Sequence, residues 1–234
     1  MRAVYKKELR QYFNSFLGYV FLGAFLAVSG YMFYSTNLVN QRANIGDVFN
    51  NILVIVIFMI PILTMRLYAE EKRGKMEQLL LTSPISISGI VVGKYLAALS
   101  VFGVALLFTL PYPIVLLLYS QINVWSIIGN YFAFTLVVAA FLAISSFLSS
   151  LTDSQVVAAI TSYTALIFLW MLGSMYTAID NETLRLIAGR VSFHNTYSEF
   201  AMGLFNPATV LYYLSIIFVF LFFTVRMIDK KRWS

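Results

Sequence analysis

The chain has 234 residues, of which 60% are hydrophobic and 11% are charged, and its formal net charge is +6. Soluble domains have roughly 45–50% apolar and about 25% charged residues, so this composition and its mean hydropathy of +0.82 exclude an ordinary soluble domain. The absence of cysteine also excludes a disulfide framework and a thiolate metal site. The apolar residues come in runs about as long as a bilayer is thick, which indicates an integral membrane protein.

Residues 1–15 predict an amphipathic helix that lies along the membrane surface. Its apolar stripe consists of Val4, Leu9, Phe13 and Phe16. The basic side chains that could reach lipid phosphates are those of Lys6, Lys7 and Arg10. An ordinary basic flank of the first membrane span is the alternative interpretation of this segment.

Six apolar runs are long enough to cross about 30 Å of hydrocarbon as helices. The predicted spans are 16–34, 48–65, 95–119, 127–150, 156–179 and 208–226. Proline is expected to kink two of them, at Pro61 and at Pro111 and Pro113. The predicted fold class is therefore all-α, a polytopic bundle of six transmembrane helices.

The distribution of basic residues predicts the orientation of this bundle. Of the 16 Lys and Arg residues, 13 fall in residues 1–15, 66–94 and 226–232. The positive-inside rule then places both termini and the 66–94 segment in the cytoplasm, with the chain in the inner membrane. Topology and lipid headgroups account for the net positive charge, so we expect no nucleic-acid partner.

The six predicted spans, taken up to Val225 in the last one, contain no Asp, Glu, Lys, Arg or His. Ion-coupled carriers keep ionisable groups at membrane depth, so this absence disfavours an autonomous carrier or channel. The single histidine, His194, has no second His or Cys to form a zinc site, and we expect no metal site and no catalytic residue. "GIVVGKY" has the wrong spacing for a phosphate-binding loop, and we expect its Lys94 to snorkel to the membrane interface.

The charged segment "YAEEKRGKMEQLLLTSP", from Tyr68 to Pro84, predicts a short cytoplasmic helix. Glu71 and Lys75 stand at i,i+4 in the favourable order, and three leucines follow before Pro84 ends the helix. A helix of mixed charge with a leucine cluster suits docking into a groove on a partner protein. A solvated loop with helical tendency is the alternative.

Three segments of the chain carry a family resemblance. "RLYAEEKRGKMEQLLLTSPIS", residues 66–86, closely resembles the first cytoplasmic loop of type-2 ATP-binding-cassette (ABC) exporter permeases, which contains their coupling helix. Residues 5–34 and 192–215 resemble the branch associated with gliding motility and nitrous oxide reductase maturation. The chain departs from its relatives at Gly74-Lys75 and at Ser15-Phe16.

The resemblance implies a permease that works with separate ATPase subunits. Such permeases pair as a homodimer or with a paralogue and bind two cytoplasmic ATPases, which hold the ATP and magnesium, so this chain would bind no cofactor itself. In the family the 66–94 loop meets the ATPase. The residues that match this coupling region are Glu70, Glu71, Arg73, Gly74, Glu77, Leu80 and Pro84.

The resemblance also implies two further regions of interest. Residues 180–207 would form a lid over the outer exit, and a plain interfacial anchor is the alternative. The gate candidates are Phe193, His194, Phe200, Gly203 and Phe205. In the family, the second and fifth membrane spans line the pathway. The matching pathway candidates in this chain are Met59, Thr164, Phe168 and Met175.

The resulting hypothesis is the transmembrane permease subunit of an ATP-driven ABC exporter. The alternative is a mechanotransmission or assembly subunit that uses the same ATPase together with an auxiliary membrane or periplasmic protein. A co-purifying ATPase would separate both from an autonomous carrier, and a substrate whose transport follows ATP hydrolysis would favour the exporter.

Overall fold

The computed structural model describes residues 1–41, 43–74, 86–120, 123–175, 192–193, 196–197 and 206–232. Its helices are α1 (Arg2–Asn14), α2 (Phe16–Phe33), α3 (Ile45–Arg73), α4 (Ile87–Leu107), α5 (Pro111–Tyr119), α6 (Val124–Leu151), α7 (Gln155–Met175) and α8 (Pro207–Arg232). A π-helical turn, Tyr34–Val39, continues α2. The described part of the chain contains no strand and has six apolar segments long enough to span a membrane, which confirms the all-α prediction.

A single residue joins α1 to α2. Ser15 is extended, with φ −100° and ψ 147°, and it turns the chain from the first helix into the first span. A Cβ at Gly18 would lie 2.3 Å from the carbonyl oxygen of Tyr12. Only glycine can therefore occupy position 18 while the end of α1 lies this close to α2.

The helices on either side of the charged loop extend beyond the predicted spans. α3 continues to Arg73, eight residues past the predicted end at 65, and α4 begins at Ile87, eight residues before the predicted start at 95. The hydroxyl of Ser86 caps α4 by accepting a hydrogen bond from the amide of Gly89. The predicted helix that starts at Tyr68 is thus, up to Arg73, the end of α3, and residues 75–85 lie outside the described residues.

Proline acts differently in the two spans where it was expected to bend a helix. The third span is interrupted between α4 and α5, and Pro111 occupies the first helical position after the break, where proline is well tolerated. α3 remains one helix through Pro61. Near it the hydroxyl of Thr64 donates to the carbonyl oxygen of Ile60, one turn earlier.

α6 is the central helix of the bundle. It packs mainly against α3, α7 and α8, and 78% of its most apolar stretch is buried, against 22% for α7 and 17% for α8. Four aromatic rings in successive contact link α2, α4, α6 and α3 in that order: Phe25, Phe102, Phe134 and Phe49. The apolar core therefore surrounds α6, while the apolar stretches of α7 and α8 are mostly exposed in the described part of the chain.

Candidate functional site

Lys94 is buried at the start of α4, with 1% of its surface exposed. Its ammonium lies 3.1 Å from Glu8 Oε1 on α1 and 2.8 Å from Glu71 Oε2 on α3, and it donates to the carbonyl oxygen of Leu67 at 2.6 Å. The ring of Tyr68 lies 5.3 Å away and adds a cation–π contact. An ammonium has three donors and here meets three acceptors, so the charge is fully satisfied without water.

Lys7 completes this group of charges. Its Nζ lies 2.9 Å from Glu71 Oε1 and 3.7 Å from Glu8 Oε1, so each carboxylate contacts both lysines. The two positive and two negative charges balance. We call Lys7, Glu8, Glu71 and Lys94 the charged cluster.

Two tyrosine hydroxyls attach α1 to the neighbouring helices. Tyr12 is buried and donates to the carbonyl oxygen of Leu63 on α3 at 2.7 Å. The hydroxyls of Tyr5 and Ser100 on α4 lie 3.0 Å apart. α1 is therefore fixed to both helices that flank the charged loop, by contacts on either side of the charged cluster.

Gly93 allows α1 to approach α4 closely. A Cβ at this position would lie 3.3 Å from both the carbonyl oxygen of Met1 and the Cβ of Val4. These distances are shorter than most Cβ contacts, so a larger residue at position 93 requires α1 to shift by a few tenths of an ångström. Gly93 and Lys94 are neighbours in sequence, and together they supply the close approach and the ion pairs.

The surroundings shift the pKa of two α1 side chains. Although burial opposes it, the hydrogen bond to Glu71 and the negative charges of Glu71 and Glu8 raise the pKa of Lys7. Burial, followed by the charge of Glu8, raises the pKa of the Tyr12 hydroxyl. Lys7 therefore remains charged and Tyr12 remains a hydrogen-bond donor at physiological pH.

The described coupling candidates lie at the end of α3. Glu70 receives two hydrogen bonds from Arg66, at 2.6 and 3.0 Å, and its side chain is 37% exposed. The side chain of Glu71 is only 12% exposed, because it faces the two lysines. Gly74 ends α3, and its amide donates to the carbonyl oxygen of Glu70. Arg73 belongs to α3 through its backbone.

Three further coupling candidates, Glu77, Leu80 and Pro84, lie outside the described residues. We expected Lys94 to snorkel to the membrane interface, but the structure contradicts this expectation. Lys94 is buried and pairs with Glu8 on α1 and Glu71 on α3. Lys7 likewise has two carboxylate partners, in addition to the lipid phosphates expected for it.

Phe193 is the gate candidate that the structure describes. Its ring lies 5.1 Å from Phe141 on α6 and 5.9 and 5.7 Å from Tyr212 and Tyr213 on α8. The hydroxyl of Tyr213 donates to the carbonyl oxygen of Phe193 at 3.1 Å. We call Phe141, Phe193, Tyr212 and Tyr213 the aromatic cluster.

The aromatic cluster lies inside the bundle. Phe141 precedes the end of α6 by 10 residues, from 141 to 151, which is about 15 Å along the helix axis. Phe193 is 1% exposed, and its ring is buried between Phe141 on α6 and Tyr213 on α8. The other gate candidates, His194, Phe200, Gly203 and Phe205, lie outside the described residues.

The pathway candidates do not share one surface. Met59 is 8% exposed and belongs to the core, whereas Phe168 is 63% exposed on α7. Thr164 is exposed, and its hydroxyl donates to the carbonyl oxygen of Ile160 in its own helix. Met175 ends α7, and its side chain lies outside the description.

Sequence reasoning did not identify Glu8 or the pairing of Lys94. A signal for Glu8 was present, because Val4, Glu8 and Tyr12 stand four residues apart and form the buried stripe of α1. The predicted stripe ended instead at Phe16, which is 84% exposed. No local pattern reveals a partner for Lys94, since Glu8 precedes it by 86 residues.

Comparison with known protein families gives one full-length match. The model of a family described as "ABC-2 family transporter protein" matches residues 2–232. A search of curated proteins gives no significant match.

Proposed function

The chain belongs to the ABC-2 family of transporter proteins, a family of membrane permease components, and we propose that it couples ATP hydrolysis by a separate ATPase subunit to export or extraction of a substrate. The observation that carries this proposal is the family match over residues 2–232, together with six membrane-spanning helices. The permease would be a transport subunit without catalytic groups of its own, and the ATPase would bind the ATP and magnesium.

The architecture of the charged end supports an ATPase-docking role for the loop between α3 and α4. Both helices extend past the predicted apolar spans, α3 to Arg73 and α4 from Ile87, so Gly74 and Ser86 stand at the two ends of the charged loop. Glu70 is one-third exposed there, while Glu71 is paired internally. We therefore assign direct ATPase contact to Glu70 and to the loop residues Glu77, Leu80 and Pro84, and we assign Glu71 to the support of that surface.

A second permease copy is part of the proposal, because two ATPases need two docking loops. α2, α7 and α8 carry exposed apolar side chains, among them Tyr31, Phe168 and Phe218. Lipid and a second copy can both cover such faces. We also propose the inner membrane, cytoplasmic termini and the gliding-motility and nitrous-oxide branch, on the basis of the lysine and arginine distribution and the resemblance of residues 5–34 and 192–215.

Affinity purification of the chain from membranes in mild detergent tests this function. An ATPase should accompany the native chain, and Glu77→Arg should reduce its recovery about tenfold or more, as expected when a charge is reversed within an interface. Asp47→Arg makes the same charge change in the first turn of α3, at the opposite end of that helix, and should leave recovery unchanged. Glu71→Arg is unsuitable, because it would also break the ion pair with Lys94.

The proposal fails if no ATP-binding protein accompanies the native chain. The assignment of the docking surface is wrong if the same amount of ATPase is recovered with the Glu77→Arg variant as with the Asp47→Arg variant.

A further inference from the structure

The charged cluster joins three parts of the chain at one point. Glu8 and Lys7 belong to α1, Glu71 lies two residues before the end of α3 at Arg73, and Lys94 lies on the second turn of α4. The two flanks of the cytoplasmic loop are therefore bound to each other through the Lys94–Glu71 pair at 2.8 Å. Both are also bound to α1, through Glu8 and Lys7.

Burial makes these links strong and directional. The side chains of Lys94 and Glu8 are 1% and 6% exposed, so water screens their interaction little. If one partner moved away, a buried charge would be left without a counter-charge, which is costly. Separation of α1 from either flank of the loop is thus opposed by the same four side chains.

Stability alone does not account for this arrangement, because a buried ion pair can often be replaced by apolar side chains without loss of stability. Charge pairs differ from apolar packing in that they specify one geometry. Gly93 independently indicates that this geometry is a close one, since a Cβ at this position would already lie 3.3 Å from two atoms of α1. The contacts of Tyr12 and Tyr5 lie on either side and keep α1 in the same position.

We infer that Lys94 is a positioning residue that holds α1 and both flanks of the cytoplasmic loop as one rigid unit, so that they move together when the ATPase acts on the loop. This inference rests on the proposed function. α1 is then a part of the surface that receives the ATPase movement, in addition to being a helix at the membrane.

The link itself can be tested in the isolated chain, which contains no cysteine. The Cβ of Val4 lies 3.3 Å from the ideal Cβ position of Gly93, close to the Cβ separation of about 3.5–4.5 Å in disulfides. The pair Val4→Cys, Gly93→Cys should therefore form a disulfide quickly under mild oxidation when α1 is docked. Mass spectrometry of the digested chain measures its rate.

Removing both members of the buried pair should slow this reaction. In the background Glu8→Leu, Lys94→Met, disulfide formation should be at least about tenfold slower, a change within the range measured for close charge pairs. Lys7 and Glu71 still balance each other in this variant. Asp153→Asn, which removes one of the contacts of Lys72, the carboxylate on the α6–α7 turn, is the control and should leave the rate unchanged. An unchanged rate in Glu8→Leu, Lys94→Met would overturn the inference.

The consequence for coupling is tested in the complex with its co-purifying ATPase. The Glu8→Leu, Lys94→Met variant should retain the ATPase but hydrolyse ATP at the rate of the isolated ATPase, and oxidation of the added cysteine pair should restore the native rate until reductant is added. If the disulfide forms without restoring hydrolysis, Lys94 does not act by positioning α1. If no ATPase accompanies the native chain, the proposed function is wrong. The disulfide rates measured in the isolated chain then still show whether the charged cluster holds α1.

Discussion

At the charged end of the bundle, Lys94 meets Glu8 and Glu71 from two other helices at 3.1 and 2.8 Å. In the aromatic cluster, the ring of Phe193 meets the rings of Phe141 and Tyr213 at 5.1 and 5.7 Å between centroids. Both groups are buried, and both join parts of the chain that are distant in sequence. The first uses charges that have one low-energy arrangement, and the second uses rings that can pack in several.

This difference indicates which region is built to stay rigid and which can rearrange. A shift of an ångström within the charged cluster separates buried charges, whereas a similar shift between rings exchanges one van der Waals contact for another. We therefore expect the helices around Lys94 to move as a unit, and any movement within the bundle to occur around Phe193. Four substitutions test this contrast.

Lys94→Met should have the largest effect. It removes the central cation and leaves the buried Glu8 and the partly buried Glu71 with only the half-exposed Lys7, which should cost about 3–5 kcal/mol of unfolding free energy. Thermal unfolding in detergent and the amount of protein in the membrane both report this loss. Lys6→Met makes the same chemical change on the exposed face of α1 and should be nearly neutral. Equal behaviour of the two variants would remove the basis of the comparison.

Phe193→Leu should have a smaller effect, although it deletes more buried volume. The remaining rings of the aromatic cluster can close part of the space, so we expect a loss of about 1–2 kcal/mol. Phe218→Leu on the exposed face of α8 serves as the control and should leave the unfolding midpoint unchanged. A loss as large as that of Lys94→Met would show that the aromatic cluster is as rigid as the charged one.

Gly93→Ala sharpens the contrast at the charged end. The added methyl group would lie 3.3 Å from the Met1 carbonyl oxygen and from Val4, so α1 has to move at a cost of about 1 kcal/mol. Gly103→Ala lies in the same helix with no atom within 4 Å of the new Cβ, and it should gain up to about 1 kcal/mol from helix propensity. The two unfolding midpoints should therefore shift in opposite directions.

The smallest effect concerns Lys7, whose side chain is 46% exposed. Its pKa is raised above the ordinary value of 10.5, so the stability that the pair contributes is fully present below that value and is lost as pH rises through the raised pKa. Solvent screening limits this contribution to at most about 0.5–1 kcal/mol. The difference in unfolding midpoint between the native chain and Lys7→Met should thus be small and constant from pH 7 to pH 9. A difference that changes within that range would contradict this assignment.

The six helices were predictable from the sequence because each apolar run is as long as a bilayer is thick. The ends of these helices were not predictable. Hydropathy falls where the first charged residues occur, but the helix itself continues past that point if those charged residues have partners. At the end of α3, Arg66 pairs with Glu70 one turn later, and Glu71 pairs across to Lys94, so the helix extends to Arg73. The charged residues that were taken to mark a separate helix are the ones that lengthen α3.

Only the part of the candidate site that depends on residues close together in sequence was predictable. The sequence directed attention to Glu70, Glu71 and the loop that follows them, and their role toward an ATPase remains a prediction. The charged cluster was beyond sequence reasoning, because its pairs join residues 64 and 86 positions apart and no local pattern specifies such contacts. Phe193 was selected as an aromatic residue of a loop, and its burial against Phe141 on α6 depends equally on tertiary packing.

The central position of α6 has a consequence for how the protein is made. During synthesis α2 to α5 leave the ribosome first, yet the helix that α3 packs against most extensively has not been synthesised when they enter the membrane. Lys72 on α3 and Tyr95 on α4 donate hydrogen bonds to carbonyl oxygens of α6, and these acceptors do not exist until α6 is made. A chain that stops before Val124 would therefore hold its first three spans without their common partner, and it should be a substrate for membrane quality-control proteases.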